Sequence, residues 1–170
     1  MIRTQVVLDS WRTIRKDTVQ AVLDFPVAAF DEHPVADLMT FREIARHILD
    51  AGQALSGVLL DGVEDLAAPG FRPSLKKYTL PVPPDADPAA LADALETSLD
   101  SRIAELTARD SDFYAHEITR FDGQRVTRLE MLQFVKEHEL THRAQLFMFL
   151  RLKGIVPSTT RRRIADRQKA

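Results

Sequence analysis

Two histidines lie four residues apart in the stretch EHELTHRAQL, which covers residues 137–146. In a helix this spacing places His138 and His142 on one side, about one turn apart and within reach of one metal ion. The chain contains no cysteine, so a metal site here would use imidazole, carboxylate or water ligands. The residues thus pose a choice between metal binding and a pair of hydrogen-bonded core histidines.

The surrounding apolar pattern favours metal binding. His138 and His142 continue a stripe of apolar residues at 132, 135, 146 and 149, so we expect both side chains to point inward. His47 lies on or beside a second stripe, at 44, 51, 55 and 58. Three buried imidazoles without partners would cost about 1–3 kcal/mol each, whereas one shared cation satisfies all three. His33 and His116 fall in predicted linkers and are expected to be exposed bystanders.

Helical periodicity predicts four helices that position these histidines. Thr40 with Glu43, and Thr127 with Glu130, match the capping-box pattern at a helix start. Asp87 followed by Pro88 indicates a third start. The sequence therefore predicts an all-α four-helix bundle, with helices over about 2–25, 41–60, 88–110 and 128–153.

The segments between the helices indicate how they are arranged. Residues 62–87 form a connection long enough for the second and third helices to run parallel. This crossover is either a flexible surface loop or a lid anchored by Phe71 and Tyr78. The Asp122-Gly123 pair predicts a small hairpin with a type I′ turn before the fourth helix.

Composition limits the classes of function. The chain has 170 residues, a net charge of −2 and 45% apolar residues, as expected of one globular domain. This charge argues against nucleic-acid binding, although Arg161, Arg162 and Arg163 could touch phosphate. Charges throughout the first 17 residues argue against a signal peptide or a membrane span, and a cytoplasmic protein is the expectation. We predict a domain over 1–157 and a polar basic tail over 158–170, solvated or frayed.

Two motifs resemble the DinB-like (DinB/YfiT-type) family of bacterial helical-bundle metalloproteins. The stretch TFREIARHILDAGQ has a histidine early in the second helix, and HELTHRAQLFMFLRLKGIVP has the H-x-x-x-H-R-x-Q-L pattern late in the fourth. The likeness spans about residues 3–157. It departs from the family at Ala144, where glycine is common, and this affects how closely a neighbouring helix or subunit approaches.

The resemblance implies an up-down-down-up bundle with a divalent metal at His47, His138 and His142. It also implies a homodimer, and it suggests an enzyme that uses a low-molecular-weight thiol, as an S-transferase or maleylpyruvate isomerase does, or a related hydrolase. Three neutral imidazoles leave the ion an open position, which is typical of a catalytic site. Zn, Ni and Fe all suit such ligands.

Three neighbouring side chains are candidates to orient a ligand or to contact metal-bound water: Glu43, Asp50 and Gln145. Glu43 already has a capping role, and the other two are also explained as residues at the border of the bundle. The alternative function is a non-catalytic, stress-related binding or dimerisation module whose metal is structural or absent. A pocket beside the histidines would favour the enzyme, and a filled core would favour the module.

Overall fold

The computed structural model describes residues 3–169, and helices dominate it. In chain order the elements are α1 (Thr4–Asp24), α2 (Phe41–Leu60), α3 (Phe71–Ser74), α4 (Pro88–Thr107), α5 (Ser111–Ala115), β1 (Glu117–Thr119), β2 (Arg125–Thr127), α6 (Arg128–Leu152) and α7 (Ser158–Gln168). Short 3-10 helices cover Val27–Ala29 and Leu75–Tyr78. The predicted four-helix bundle is confirmed as α1, α2, α4 and α6, while the predicted start at residue 2 lies outside the described residues.

The capping signals produce the helix starts that the sequence predicts. The Thr40 hydroxyl accepts a hydrogen bond from the Glu43 amide at 3.2 Å, and the Glu43 carboxylate accepts one from the Thr40 amide at 2.7 Å. Thr127 and Glu130 form the same reciprocal pair. Each box satisfies amides that a helix start leaves without intrahelical partners, which fixes where α2 and α6 begin.

The core falls into two apolar clusters that reveal the directions of the helices. One cluster joins the N-terminal parts of α1 and α6 to the C-terminal parts of α2 and α4, for example through Trp11, Leu132, Val58 and Ile103. The other cluster joins the opposite ends of the same four helices. Helices α2 and α4 therefore run parallel to each other and antiparallel to α1 and α6, which confirms the up-down-down-up order.

A charged pair lies buried in the bundle. Arg15 contacts Glu139 through two hydrogen bonds, at 2.7 and 2.8 Å. The Trp11 indole and the Thr18 hydroxyl donate to the same carboxylate at 2.6 and 3.0 Å, and Arg15 also donates to the Leu95 carbonyl at 2.5 Å. This pair links α1, α4 and α6, and the sequence analysis did not predict it.

The long crossover folds against α2. Phe71 and Tyr78, the two residues predicted as anchors, are both buried, and the Tyr78 hydroxyl donates to Asp61 at 2.7 Å. The Tyr78 ring lies so close to Gly57 that a Cβ there would collide with it. Arg46 of α2 also donates to the carbonyls of Val82 and Pro83, at 3.1 and 2.7 Å. Of the two alternatives, these contacts favour an ordered crossover over a flexible surface loop.

The predicted hairpin is present, but the prediction of a type I′ turn is wrong. β1 pairs antiparallel with β2, with Thr119 opposite Arg125. Gly123 has a φ of 82°, whereas Asp122 is not in the left-handed region that a type I′ turn requires at both positions. The Gly123 amide instead donates to the Arg120 carbonyl at 2.8 Å, so Gly123 closes a three-residue loop.

The C-terminal segment also differs from the expected frayed tail, because residues 158–168 form α7. Asp17, a buried residue of α1, accepts from the Ser158 hydroxyl at 2.9 Å and pairs with Arg162 at 2.8 Å. Arg161 pairs with Asp24 at 2.6 Å. Arg161 and Arg162, two of the three arginines expected to be solvated, thus attach α7 to α1, while the predicted domain boundary at residue 157 stays a prediction. Within residues 3–169, no helix combines the length and apolarity needed to cross a membrane.

Candidate metal centre

Three histidine rings converge between α2 and α6. The His138 Nε2 atom lies 3.1 Å from His47 Nε2 and 3.2 Å from His142 Nε2. One ring nitrogen from each residue lies within 4.8 Å of the other two. Two nitrogens bound to one tetrahedral ion at about 2.0–2.1 Å lie about 3.3 Å apart, so the spacing suits a shared metal.

Hydrogen bonding among the histidines themselves does not satisfy this cluster. The His142 Nδ1 atom lies 2.7 Å from the Gln145 amide oxygen, which can only accept, so Nδ1 carries the proton of a neutral ring. His142 Nε2 then presents a lone pair to His138. His138 Nε2 holds either one proton or one lone pair, so at most one of its two contacts can be a good hydrogen bond. A cation at the centre would satisfy all three nitrogens.

The electrostatics keep two of the three rings in the form that binds metal. Burial lowers the pKa of His138 to about 4, with smaller contributions from His142 and His47. Burial also lowers the pKa of His47, followed by the influence of His142. Both rings are therefore neutral near pH 7, and a neutral imidazole has the lone pair that coordinates metal.

The sequence analysis placed these histidines too deeply. His138 and His142 are half-buried, and His47 lies at the more exposed edge of the cluster. The buried position on this part of α6 belongs to Glu139, which is only 2% exposed. The histidines therefore line a groove beside the core. Its spacing, four residues after Val135 and seven before Leu146, was the available signal for Glu139, but a glutamate is ordinarily assigned to the surface.

A cavity of about 420 Å³ opens beside the cluster, with His47 and His138 in its wall. Ala51 and Leu55 of α2 line one side, and Phe71 of α3 lines another. The cavity thus lies between the bundle and the crossover. Its volume is within the range of small-molecule sites, about 300–1,000 Å³.

The three predicted neighbours of the cluster differ in position. Gln145 holds the His142 ring so that Nε2 faces the other histidines. Asp50 lines the cavity beside His47, and burial raises the pKa of its carboxyl group. Glu43 caps α2 and is not among the residues that line this cavity. His116 pairs with Glu64 at 2.9 Å, and His33 contacts the Leu38 carbonyl, so neither belongs to the cluster.

The chain belongs to the DinB family, whose family model matches residues 1–168. No curated protein matches the sequence.

Solved structures share the fold at low sequence identity. YfiT from Bacillus subtilis, described as a probable metal-dependent hydrolase with an unusual four-helix bundle topology, has a TM-score of 0.71 at 16% identity, over 91% of both chains. The DinB-like protein YjoA from Bacillus subtilis has a TM-score of 0.69 at 20% identity, over 87% of this chain and 92% of its own. A mycothiol-dependent maleylpyruvate isomerase has a TM-score of 0.63 at 19% identity, over 85% of this chain and 61% of its own.

Proposed function

We propose that this protein is a divalent-metal-dependent enzyme acting on a small molecule, with His47, His138 and His142 as the metal ligands. The observation that carries the proposal is the convergence of three ring nitrogens beside an open cavity, with His138 Nε2 lying 3.1 and 3.2 Å from the Nε2 atoms of His47 and His142. The non-catalytic alternative would have these histidines bonded to backbone or carboxylate groups in a filled core. Within the cluster, the ring nitrogens contact one another and the Gln145 amide instead.

The residues around the cavity would bind and orient the substrate. When bound, a divalent transition metal supplies a Lewis acid that lowers the pKa of a coordinated thiol or water. Gln145 fixes the tautomer and the orientation of His142. The carboxyl group of Asp50, with its raised pKa, is suited to accept a proton from a thiol or water in the cavity. Zn, Ni and Fe all remain candidates for the ion.

A low-molecular-weight thiol is the proposed co-substrate, and S-transfer is the proposed reaction. The support is the likeness in fold to the mycothiol-dependent isomerase. The related alternative is hydrolysis, in which water takes the place of the thiol. The likeness in fold to YfiT supports this alternative. The two reactions place the same demands on the three imidazoles, so the fold does not choose between them.

The proposal is tested by elemental analysis of gently purified protein, followed by activity assays. We expect about one first-row divalent metal per chain. Turnover of an aryl-halide electrophile that requires both metal and mycothiol would support S-transfer, and thiol-independent cleavage of an activated ester would support hydrolysis. A metal-free preparation that fails to bind Ni or Zn on titration would contradict the proposal.

A homodimer is part of the same proposal. Four exposed residues form a stripe along α6, each four positions after the last: Leu140, Ala144, Met148 and Leu152. Leu152 is 68% exposed and Met148 is 61% exposed, which is unusual for large apolar side chains in a row. Sedimentation equilibrium should find a dimer that Met148→Glu converts to a monomer. A monomeric wild type would exclude this part of the proposal.

A further inference from the structure

The wall of the cavity beside the histidines contains both polar and apolar side chains. His47, His138 and Asp50 lie in its wall on the side of α2 and α6. Phe71 of α3 and Phe134 of α6 contribute flat apolar surfaces, and Phe121 packs edge-on against Phe134 with ring centroids 5.3 Å apart. Flat walls of this kind bind the apolar body of a ligand.

Two cations from the crossover also line the cavity. Arg72 of α3 and Lys76 of the 3-10 helix that follows it both lie in the cavity wall. Both side chains are exposed, and neither forms an ion pair with any residue in 3–169. Their neighbour Lys77, by contrast, pairs with Asp61 at 2.6 Å. The crossover thus holds one cation in a surface pair and leaves two available at the cavity.

We infer that the cavity takes a small molecule with an apolar body and an anionic group, which Arg72 and Lys76 bind while the apolar body lies against Phe71 and Phe134. This assignment of substrate class rests on the proposed function, because it concerns the ligand of the same site. Arginine and lysine form charge-assisted hydrogen bonds with carboxylate, sulfonate or phosphate oxygens, and such bonds are stronger than neutral ones. Arg72 and Lys76 therefore determine specificity.

A pair of fluorescent probes tests the charge preference directly. Anilinonaphthalene sulfonate carries an anionic group, and N-phenyl-1-naphthylamine has a similar aromatic body without one. Both are titrated against chelator-treated protein, so that binding of sulfonate to a metal does not contribute. Arg72→Gln and Lys76→Gln should each lower the affinity for the anionic probe by about 3- to 10-fold and leave the affinity for the neutral probe within about twofold of wild type. Lys77→Gln is the matched control, because it removes the same charge from the same segment outside the cavity.

A further variant tests whether the two probes bind in this cavity. Ala51→Phe places a large side chain in the cavity wall and should lower the affinity for both probes. Anionic-probe affinity that Arg72→Gln and Lys76→Gln leave within twofold, or that Lys77→Gln lowers equally, would overturn the inference. Anionic binding that Ala51→Phe leaves unchanged would overturn it as well. Metal titration of the same variants distinguishes this inference from the proposed function. If only the inference fails, each variant should still bind about one metal per chain.

Discussion

Two adjacent residues of α6 belong to polar clusters of opposite character. Glu139 and its partner Arg15 are almost completely buried, with side chains 3 and 4% exposed, and four hydrogen bonds from Arg15, Trp11 and Thr18 reach the carboxylate. His138, one position earlier, is half-buried and contacts two other imidazoles that it cannot satisfy together. In the deeper cluster the carboxylate has a donor at every contact, whereas in the shallower one the imidazoles cannot all satisfy one another.

This difference separates a structural polar group from a functional one. Buried polar atoms are nearly always paired, and a charge paired inside the protein holds the elements that carry it in a fixed arrangement. The Arg15–Glu139 pair thereby fixes α1 against α6. Convergent ring nitrogens that cannot all satisfy one another, in contrast, indicate a place for a cation. The first cluster should therefore govern stability, and the second should govern binding.

The largest effect is expected for Glu139→Ala. This change leaves the Arg15 guanidinium buried without its counter-ion and leaves the Trp11 indole without its acceptor. Breaking a buried ion pair costs about 3–5 kcal/mol, so the free energy of unfolding should fall by about that amount. Urea denaturation followed by circular dichroism measures it. Glu137→Ala, on the exposed side of the same helix, should change stability by no more than about 0.5 kcal/mol. A fall below about 1 kcal/mol for Glu139→Ala would contradict the structural role.

His142→Ala should have the reverse profile. Losing a ligand should weaken metal binding by more than about 100-fold, since even the loss of a residue that orients a ligand costs 10–100-fold. The metal-free variant should stay within about 1 kcal/mol of metal-free wild type, because the His142 ring is only half-buried.

Competition titration with a chromophoric chelator measures the affinity of His142→Ala, and thermal melting of the variant beside chelator-treated wild type measures the fold. If both proteins unfold, the metal is structural, because its binding energy is then coupled to folding. An intact helical bundle in both would agree with a catalytic ion.

Gln145→Ala should have a smaller effect on the same site. The amide oxygen of Gln145 holds the proton of His142 on Nδ1 and so leaves Nε2 free for the metal. Without it the ring can rotate and change tautomer, and metal affinity should fall by about 10- to 100-fold. Gln145→Glu retains the acceptor and should recover most of the affinity. Equal losses in the two variants would mean that the contact does not orient the ring.

Much of the fold follows from local signals, whereas the deep polar pair does not. Capping boxes at Thr40 and Thr127 determine helix starts within a few residues, so the sequence predicts them correctly. The His138 and His142 spacing likewise brings two rings together within one helix. Arg15 and Glu139 are 124 residues apart, and their pairing depends on how α1 packs against α6. The order of the crossover depends in the same way on Tyr78 fitting over Gly57.

A pH dependence of stability is also expected in the metal-free protein. Burial lowers the pKa of His138 from its ordinary 6.5 to about 4, so between these values the unfolded chain binds a proton that the native protein does not. The free energy of unfolding should therefore fall as the pH falls from about 6.5 to about 4, and should not change through this group above 6.5. His138→Asn lacks the titrating ring and should show a shallower slope in this window. Part of the slope should remain in this variant, because burial also lowers the pKa of His47.

Urea titrations at several pH values, on chelator-treated wild type and variant, measure both curves. Parallel curves would mean that His138 is solvated in the metal-free protein, and that the contrast with its buried neighbour Glu139 is smaller than the geometry implies.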